Sequence, residues 1–399
     1  MGTFAAADFL QLDDLLTAEE RDIRDRVRDW VARRFLPVVA QHYRDGTFPM
    51  EFVPELARLG VFGPNIKGHG CAGLGGIATG LMMRELERGD SGLRTFASVQ
   101  GSLAMMAIDL FGSEEQKNLW LPLMAKGEKL GCFALTEPGA GSNPAGLASE
   151  AVKSSDGYRL NGTKKWIGNG TIADVAIVWA KVDGETGVEP GNANAIRGFL
   201  VEKEMPGFTA RLIEGKLSLR AALTAELAFN DCELPTSSLL PKSSGLRSPL
   251  TCLNHARYGI AWGAIGAAMA CYDEARQYAM EREQFGRPIA SFQLVQAKLV
   301  RMLTEITKAQ LLAHRVAQLK AAGAAKHYHF SMTKMTNVEM ALEIARSARD
   351  ILGAVGILDD HQCFRHMCNL ESVKTYEGTH DIHQLVLGQH ITGLSAFGG

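Results

Sequence analysis

No Cys-x-x-Cys pair occurs in this sequence, and its seven cysteines are scattered at positions 71, 132, 232, 252, 271, 363 and 368. An odd, dispersed set argues against a zinc site or a disulfide framework and for reduced thiols. Excess charge of either sign is also missing. The formal net charge is −2, so nothing attracts nucleic acid or an anionic membrane. The uncharged run Tyr258 to Tyr272 is too short and too rich in glycine and alanine to be inserted in a membrane. It reads as a helix packed closely on its neighbours. The stretch Met1 to Ala6 has no basic residue, and Asp8, Asp13 and Asp14 follow it. That is the character of neither a secretory signal nor a transit peptide, and Ala6 breaks the myristoylation pattern. The expectation is a cytoplasmic protein, or a mitochondrial-matrix one only if a transit peptide has been removed. Finally, there is no βαβ alternation. Gly68-His69-Gly70-Cys71-Ala72-Gly73 is a literal G-x-G-x-x-G, but Gly63 to Lys67 before it is no buried strand, so a surface loop is expected.

What is present is ordinary globular composition, 46% hydrophobic and 22% charged over 399 residues, enough for two or three domains. Thr17 and Glu20 form a capping box before apolar positions at Ile23, Val27, Trp30, Val31 and Phe35. Helical patterns recur at Glu51–Leu59, Ile77–Glu87 and Val99–Phe111, with no alternating strand before about residue 130. The texture changes at Gly131. Cys132 to Leu135 is strand-like, and Asp156-Gly157 and Asn161-Gly162 read as turn signals. Val175–Trp179, Phe199–Val201 and Ala225–Phe229 add strands to an antiparallel β-domain ending near Pro241, with a mobile loop expected at Gly184–Asn194. The helical period then returns: Cys252–Arg282, a helix capped by Ser291 running to about Leu319, Lys326–Leu352, and a short terminal helix.

One stretch near the C-terminus stands apart, Thr375-Tyr376-Glu377-Gly378-Thr379-His380-Asp381. Thr379 is an N-cap for the last helix, Asp381 lies in its first turn, and Gly378 frees the backbone before the cap. Glu377 is left on a tight connection at a helix mouth. A buried carboxylate there is an adjustable general base; on context alone, a capping-loop glutamate without chemistry is the commoner reading.

The order helices, β-domain, helices, with Arg84 to Arg88, Ser91 to Arg94, Leu135 to Pro138, Ala256 to Gly263 and Thr375 to His383 in sequence, resembles the acyl-CoA dehydrogenase family of flavoproteins. Within it the chain is most similar to the glutaryl-CoA dehydrogenases. The resemblance spans about Thr17 to Phe397. It implies an α+β, mostly α, fold: an N-terminal helical domain (1–130), a middle antiparallel β-domain (131–243) and a C-terminal four-helix bundle (244–399). It implies oxidation of an acyl-CoA thioester, with Glu377 removing the α-proton and a hydride leaving the β-carbon for the N5 of FAD. The Glu377 N–H would then donate to the thioester oxygen. For the cofactor the resemblance implies Phe133, Leu135, Thr136, Ser142, Trp166 and Gly168, with Thr379 and Asp381. Arg282, Gln293, Asp350 and Gly353 would meet the FAD of a neighbouring subunit in a homotetramer. Glu87, Arg94, Thr95, Ser142, Leu250, Asn254, Arg257 and Tyr376 would meet the substrate, Arg94 holding the far carboxylate of a glutaryl group. Such an enzyme releases carbon dioxide and crotonyl-CoA and passes electrons to electron-transfer flavoprotein. By the residues alone, Arg94 is also open to the lesser alternative of a structural ion pair with Glu87 or Asp90, and a buried guanidinium needs one partner or the other.

Three positions depart from that pattern. Gly168 stands where a threonine is usual beside flavin N5, Thr95 replaces a serine, and Gly353-Ala354-Val355-Gly356 replaces Gly-Gly-Asn-Gly. They leave room for a dehydrogenase or oxidase of another short acyl thioester that does not decarboxylate. Two readings from other classes are a metal-dependent hydrolase using His361, His380 and His383, which lacks a converging ligand set, and a non-catalytic FAD or acyl-CoA scaffold, which would not need Glu377.

Overall fold

In the computed structural model, which describes residues 8–183 and 192–397, the chain opens with the expected capping box. The Glu20 N–H bonds Thr17 Oγ1 at 3.2 Å, and Glu20 Oε2 accepts the Thr17 N–H at 2.8 Å. Helix α1 (Ala18–Trp30) continues through a wide turn at Val31–Phe35 into α2 (Leu36–Asp45). Then come α3 (Val53–Arg58), α4 (Gly76–Gly89), α5 (Ser91–Ser98), a second wide stretch at Val99–Met105, α6 (Met106–Phe111) and α7 (Glu114–Ala125). Gly68, Gly70 and Gly73 form an open loop with positive φ, as expected. Helix α5 escaped the periodicity reading because it is only eight residues long and carries the polar Ser91, Arg94 and Ser98 buried beside Leu93 and Phe96.

Seven strands follow: β1 (Gly131–Ala134), β2 (Glu150–Lys153), β3 (Gly157–Gly168), β4 (Val175–Asp183), β5 (Ile196–Glu202), β6 (Phe208–Leu212) and β7 (Thr224–Pro235). Strand β4 is the hub, with β5 antiparallel along one edge and both β1 and β2 pairing with it in parallel. The β2–β3, β3–β7 and β6–β7 pairs are antiparallel, so the sheet is mixed rather than purely antiparallel. Asn161-Gly162 is not a turn. It lies inside β3 at a register shift against β7. Gly162, at φ +147°, lets the backbone cross Ser149, whose Oγ lies 2.2 Å from where a Cβ would stand. Glycine here makes a bulge, not a hairpin. Of the loop expected at Gly184–Asn194, residues 184–191 lie outside the described residues, and Ala193–Ala195 form a helical turn.

The C-terminal part holds α8 (Arg247–Glu281), a short hairpin of β8 (Glu283–Gln284) and β9 (Arg287–Pro288), α9 (Gln293–Ala321), α10 (His327–Leu352), α11 (Gln362–Thr375) and α12 (His380–Thr392). Ser291 does not cap α9: its Oγ bonds the Pro288 carbonyl at 2.7 Å, and Phe292 holds the cap position. Helix α11 was not separated in the sequence, because Arg365, His366 and Asn369 are buried on it and break its apolar stripe. Helix α8 runs through the core. Gly80 of α4 admits its Trp262, whose ring lies 2.4 Å from where a Cβ would be. No described helix is long and apolar enough to cross a membrane.

Candidate active site

Helix α5 starts one residue after α4, and Asp90 between them is buried. Its Oδ1 accepts the Gly92 N–H at 2.6 Å, capping α5. Its Oδ2 accepts Arg365 Nε at 3.0 Å and Asn369 Nδ2 at 2.9 Å, both from α11. Asp90 thus fixes the helix that carries Arg94 to the helix that leads into Glu377.

Arg94 is 1% exposed and Glu87 fully buried. Arg94 Nε donates to Glu87 Oε2 at 2.7 Å, and its Nη2 donates to the Tyr376 hydroxyl. Burial opposes the Arg94 charge, but Glu87, Tyr376 and Glu377 together outweigh it and hold the guanidinium above its usual range. Glu87 Oε1 has no hydrogen-bond partner among the described residues. Gly263 of α8 lies against the other oxygen: a Cβ there would be 1.9 Å from Glu87 Oε2.

Glu377 occupies the turn between α11 and α12 at φ +53°, followed by Gly378 at φ +95°. Thr379 caps α12 as expected, accepting the Ile382 N–H at 3.1 Å. Glu377 Oε2 is sealed from solvent without a hydrogen-bond partner among the described residues. Burial pushes this carboxyl up to about 7, against the pull of Arg94, Arg257 and Lys334. An unpaired carboxylate with that proton affinity is poised to take a proton near neutrality. Arg257 Nε donates to the Glu377 carbonyl at 2.9 Å and its Nη1 to Asn254 Oδ1 at 3.0 Å; Leu250 lies two turns earlier on α8.

The β-domain meets this cluster at the end of β3. Asn169 Nδ2 donates to the Phe96 carbonyl at 3.3 Å, and a Cβ on Gly168 would lie 3.0 Å from Val99. Trp166 is 57% exposed, at φ +63°. Phe133 and Leu135 are buried, Thr136 is half-buried, and Ser142 is exposed on the following loop. An indole bared next to the buried Ile167, two residues before Gly168, is a surface that a planar ring such as a flavin would cover.

So Glu87, Arg94, Thr95, Asn254, Arg257, Tyr376 and Glu377 converge, with Gly168 against the same helical segment. Arg282, Gln293, Asp350 and Gly353 do not. Asp350 pairs with Lys298 of α9, and it stands 16 residues along α10 from Lys334, about 24 Å at helical rise. His361 bonds Glu274 at 3.1 Å and His380 lies 3.7 Å from Glu339; no group of side chains suited to a metal ion is found among the described residues. The sequence reading missed Lys334 and Gly263, and it named Asp90 as a possible partner of Arg94, whereas Asp90 holds Arg365 and Asn369. For Lys334 a signal existed: a lysine on the apolar stripe of Phe330, Val338 and Ala341.

A helical domain, a β-rich middle domain and C-terminal helices, closing on a carboxylate whose burial raises its proton affinity, define a three-domain architecture with a candidate general base. Residues 17–128, 132–232 and 243–392 match the models for the acyl-CoA dehydrogenase N-terminal, middle and C-terminal domains, and the chain belongs to the acyl-CoA dehydrogenase family. It is 35% identical to the human mitochondrial short-chain specific acyl-CoA dehydrogenase, over 91% of this chain and 88% of that protein. Among solved structures it is similar to a glutaryl-CoA dehydrogenase from Mycobacterium smegmatis, with TM-score 0.94 and 50% identity over 98% and 99% of the two chains. A second from that organism, in complex with FADH2, gives TM-score 0.95 and 46% identity over 99% and 100%.

Proposed function

We propose that this protein binds FAD and oxidises glutaryl-CoA, releasing carbon dioxide and crotonyl-CoA. The observation that carries the reading is the buried Arg94, within electrostatic reach of the Glu377 carboxyl. Similarity to two glutaryl-CoA dehydrogenases supports it.

Bound FAD would supply the acceptor for the hydride that leaves the substrate β-carbon. Trp166, Phe133, Leu135 and Thr136 would hold it, with Ser142 on the adjoining loop and Thr379 and Asp381 at the mouth of α12. Everything else falls to the chain. Glu377 takes the α-proton while its N–H donates to the thioester oxygen. Arg94, buttressed by Glu87 and Tyr376, receives the distal carboxylate, and Thr95 adds a hydroxyl. Leu250, Asn254 and Arg257 line the thioester's approach. When the carbon–carboxylate bond of the unsaturated product breaks, its electron pair enters the conjugated thioester. Glu377 then returns its proton, giving crotonyl-CoA. Arg282, Gln293, Asp350 and Gly353, remote from Glu377, would serve the cofactor of a neighbouring subunit, most simply in a homotetramer. Phe285, 93% exposed beside them, suits a buried contact. Electron-transfer flavoprotein is the proposed acceptor.

A second reading has its own observation. Arg94 is already bonded to Glu87 and Tyr376, which fits a structural pair in an enzyme for unbranched short acyl-CoA. Mass spectrometry of products from glutaryl-CoA with an artificial electron acceptor, without oxygen, separates the two. Crotonyl-CoA with carbon dioxide is expected. Glutaconyl-CoA alone removes the decarboxylation, and turnover of butyryl-CoA but not glutaryl-CoA makes Arg94 structural.

A further inference from the structure

Lys334 is a lysine 1% exposed in the second turn of α10. Its ammonium makes no side-chain ion pair among the described residues. It is spent on backbone carbonyls: Tyr376 at 2.9 Å, Gly378 at 2.8 Å and Lys374 at 3.4 Å. The carbonyl between the two closest, that of Glu377, goes to Arg257 from the other side. Two cations on two helices, Lys334 buried and Arg257 half-buried, therefore grip three consecutive carbonyls of the turn that carries the base.

The direction of these bonds has a consequence for the N–H groups. A carbonyl and the N–H of the next residue share one peptide plane and point opposite ways in a trans bond, and no cis bond occurs among the described residues. Lys334 draws the Tyr376 carbonyl toward α10, so the Glu377 N–H points away from α10. That N–H has no protein acceptor among the described residues. The twist this demands appears at Glu377 itself, whose φ of +53° is a conformation L side chains rarely adopt. A cation on a carbonyl oxygen also polarises its amide, which strengthens the N–H on the other side as a donor.

We propose that Lys334 is a positioning residue for the reaction, holding the 376–378 turn so that the Glu377 N–H is presented, polarised and free, to the substrate thioester oxygen. This rests on the reading of Glu377 as the base given above. The charged and titratable groups around Lys334 are Glu377 and Tyr376 of the turn, Arg257 of α8, Arg94 of α5 and His383 of α12. Burial presses the lysine down to about 7, with Glu377 pulling up and Arg257 and Arg94 pushing down. The environment thus withholds the solvent screening that a surface lysine would have.

The test uses FAD-loaded enzyme with Lys334→Met and Lys334→Arg, and Glu377→Gln as reference. Two quantities are read with butyryl-CoA: kcat against KM, and the infrared stretch of a carbon-13 thioester carbonyl bound to enzyme reduced beforehand. The methionine variant should lose about 10- to 100-fold in kcat while KM stays within about threefold. Its carbonyl band should move back toward the position of free thioester. The arginine variant, which keeps charge and donors, should retain most of the band shift. If the methionine variant does not fold, Lys334→Gln, which keeps a donor pair and drops the charge, is read the same way. Wild-type kcat and an unmoved band in the variant without charge, with Glu377→Gln inactive, would overturn the role of Lys334 alone. Full turnover by Glu377→Gln would overturn the base, and this inference with it.

Discussion

Replacing Glu377 by glutamine should stabilise the protein, and more so as pH rises. The carboxyl is held at about 7 in the folded chain against an ordinary 4.5, with burial as the cause. A group whose folded value is raised binds its proton more tightly when native. The stability that this confers is complete below about 4.5 and is lost as pH climbs through about 7. At about 1.4 kcal/mol per tenfold in proton affinity, the whole effect is about 3 kcal/mol. Glutamine carries no titrating proton and avoids the cost of a buried charge. Groups that titrate independently of Glu377 contribute equally to both proteins and cancel in the difference. Lys334, near 7 itself, changes ionisation with Glu377 and broadens the step without reversing it. The assay is thermal unfolding of both FAD-loaded proteins at pH 5, 6, 7 and 8. The variant's advantage should be small at pH 5 and reach a few degrees at pH 8. The wild-type turnover should follow the opposite course, rising through about pH 7 as the base loses its proton. A stability gap that stays constant from pH 5 to 8, or closes as pH rises, would refute the claim that burial dominates at this carboxylate.

Two further outcomes concern the Arg94 pair. Arg94→Met strands the fully buried Glu87 carboxylate, so denaturant unfolding should show a loss of about 3–5 kcal/mol, most of it recovered in the Glu87→Gln, Arg94→Met double variant. If the single and double variants are equally unstable, the pair is not the source of the cost. Gly263→Ala puts a Cβ 1.9 Å from Glu87 Oε2, so Glu87 must shift and release Arg94. Destabilisation of about 1–3 kcal/mol is expected, with a larger rise in KM for glutaryl-CoA than for butyryl-CoA, and equal KM changes would disconnect Gly263 from the carboxylate site.

Much of the fold was readable where the signal is local. The Thr17–Glu20 box and the Thr379 cap depend on residues three positions apart, and both form. The bulge at Gly162 was misread as a turn because an asparagine–glycine pair marks positive φ and does not say whether a strand continues beyond it. Helices α5 and α11 were missed for one reason, polar side chains buried on them, Arg94 on α5 and Arg365, His366 and Asn369 on α11, which interrupt the apolar stripe that periodicity needs. In the site, Glu377 was singled out by its place before the Thr379 cap, and the roles expected of it and of Arg94 came from resemblance to a family. Gly263 carried no signal, since its meaning is a distance to a side chain on another helix.

The sequence alone determined the order of helical, β-rich and helical regions, because helix and strand periods are properties of neighbouring residues. It also determined that a carboxylate would sit on a glycine-relieved turn at a helix mouth. What that carboxylate can do was decided only by tertiary structure. Its proton affinity is the balance between burial and three cations. Arg257 reaches its turn across 120 positions of chain, and Arg94 is bonded to Tyr376 across 282. Desolvation and Coulomb interactions depend on distance in space, and no local pattern in the chain records it.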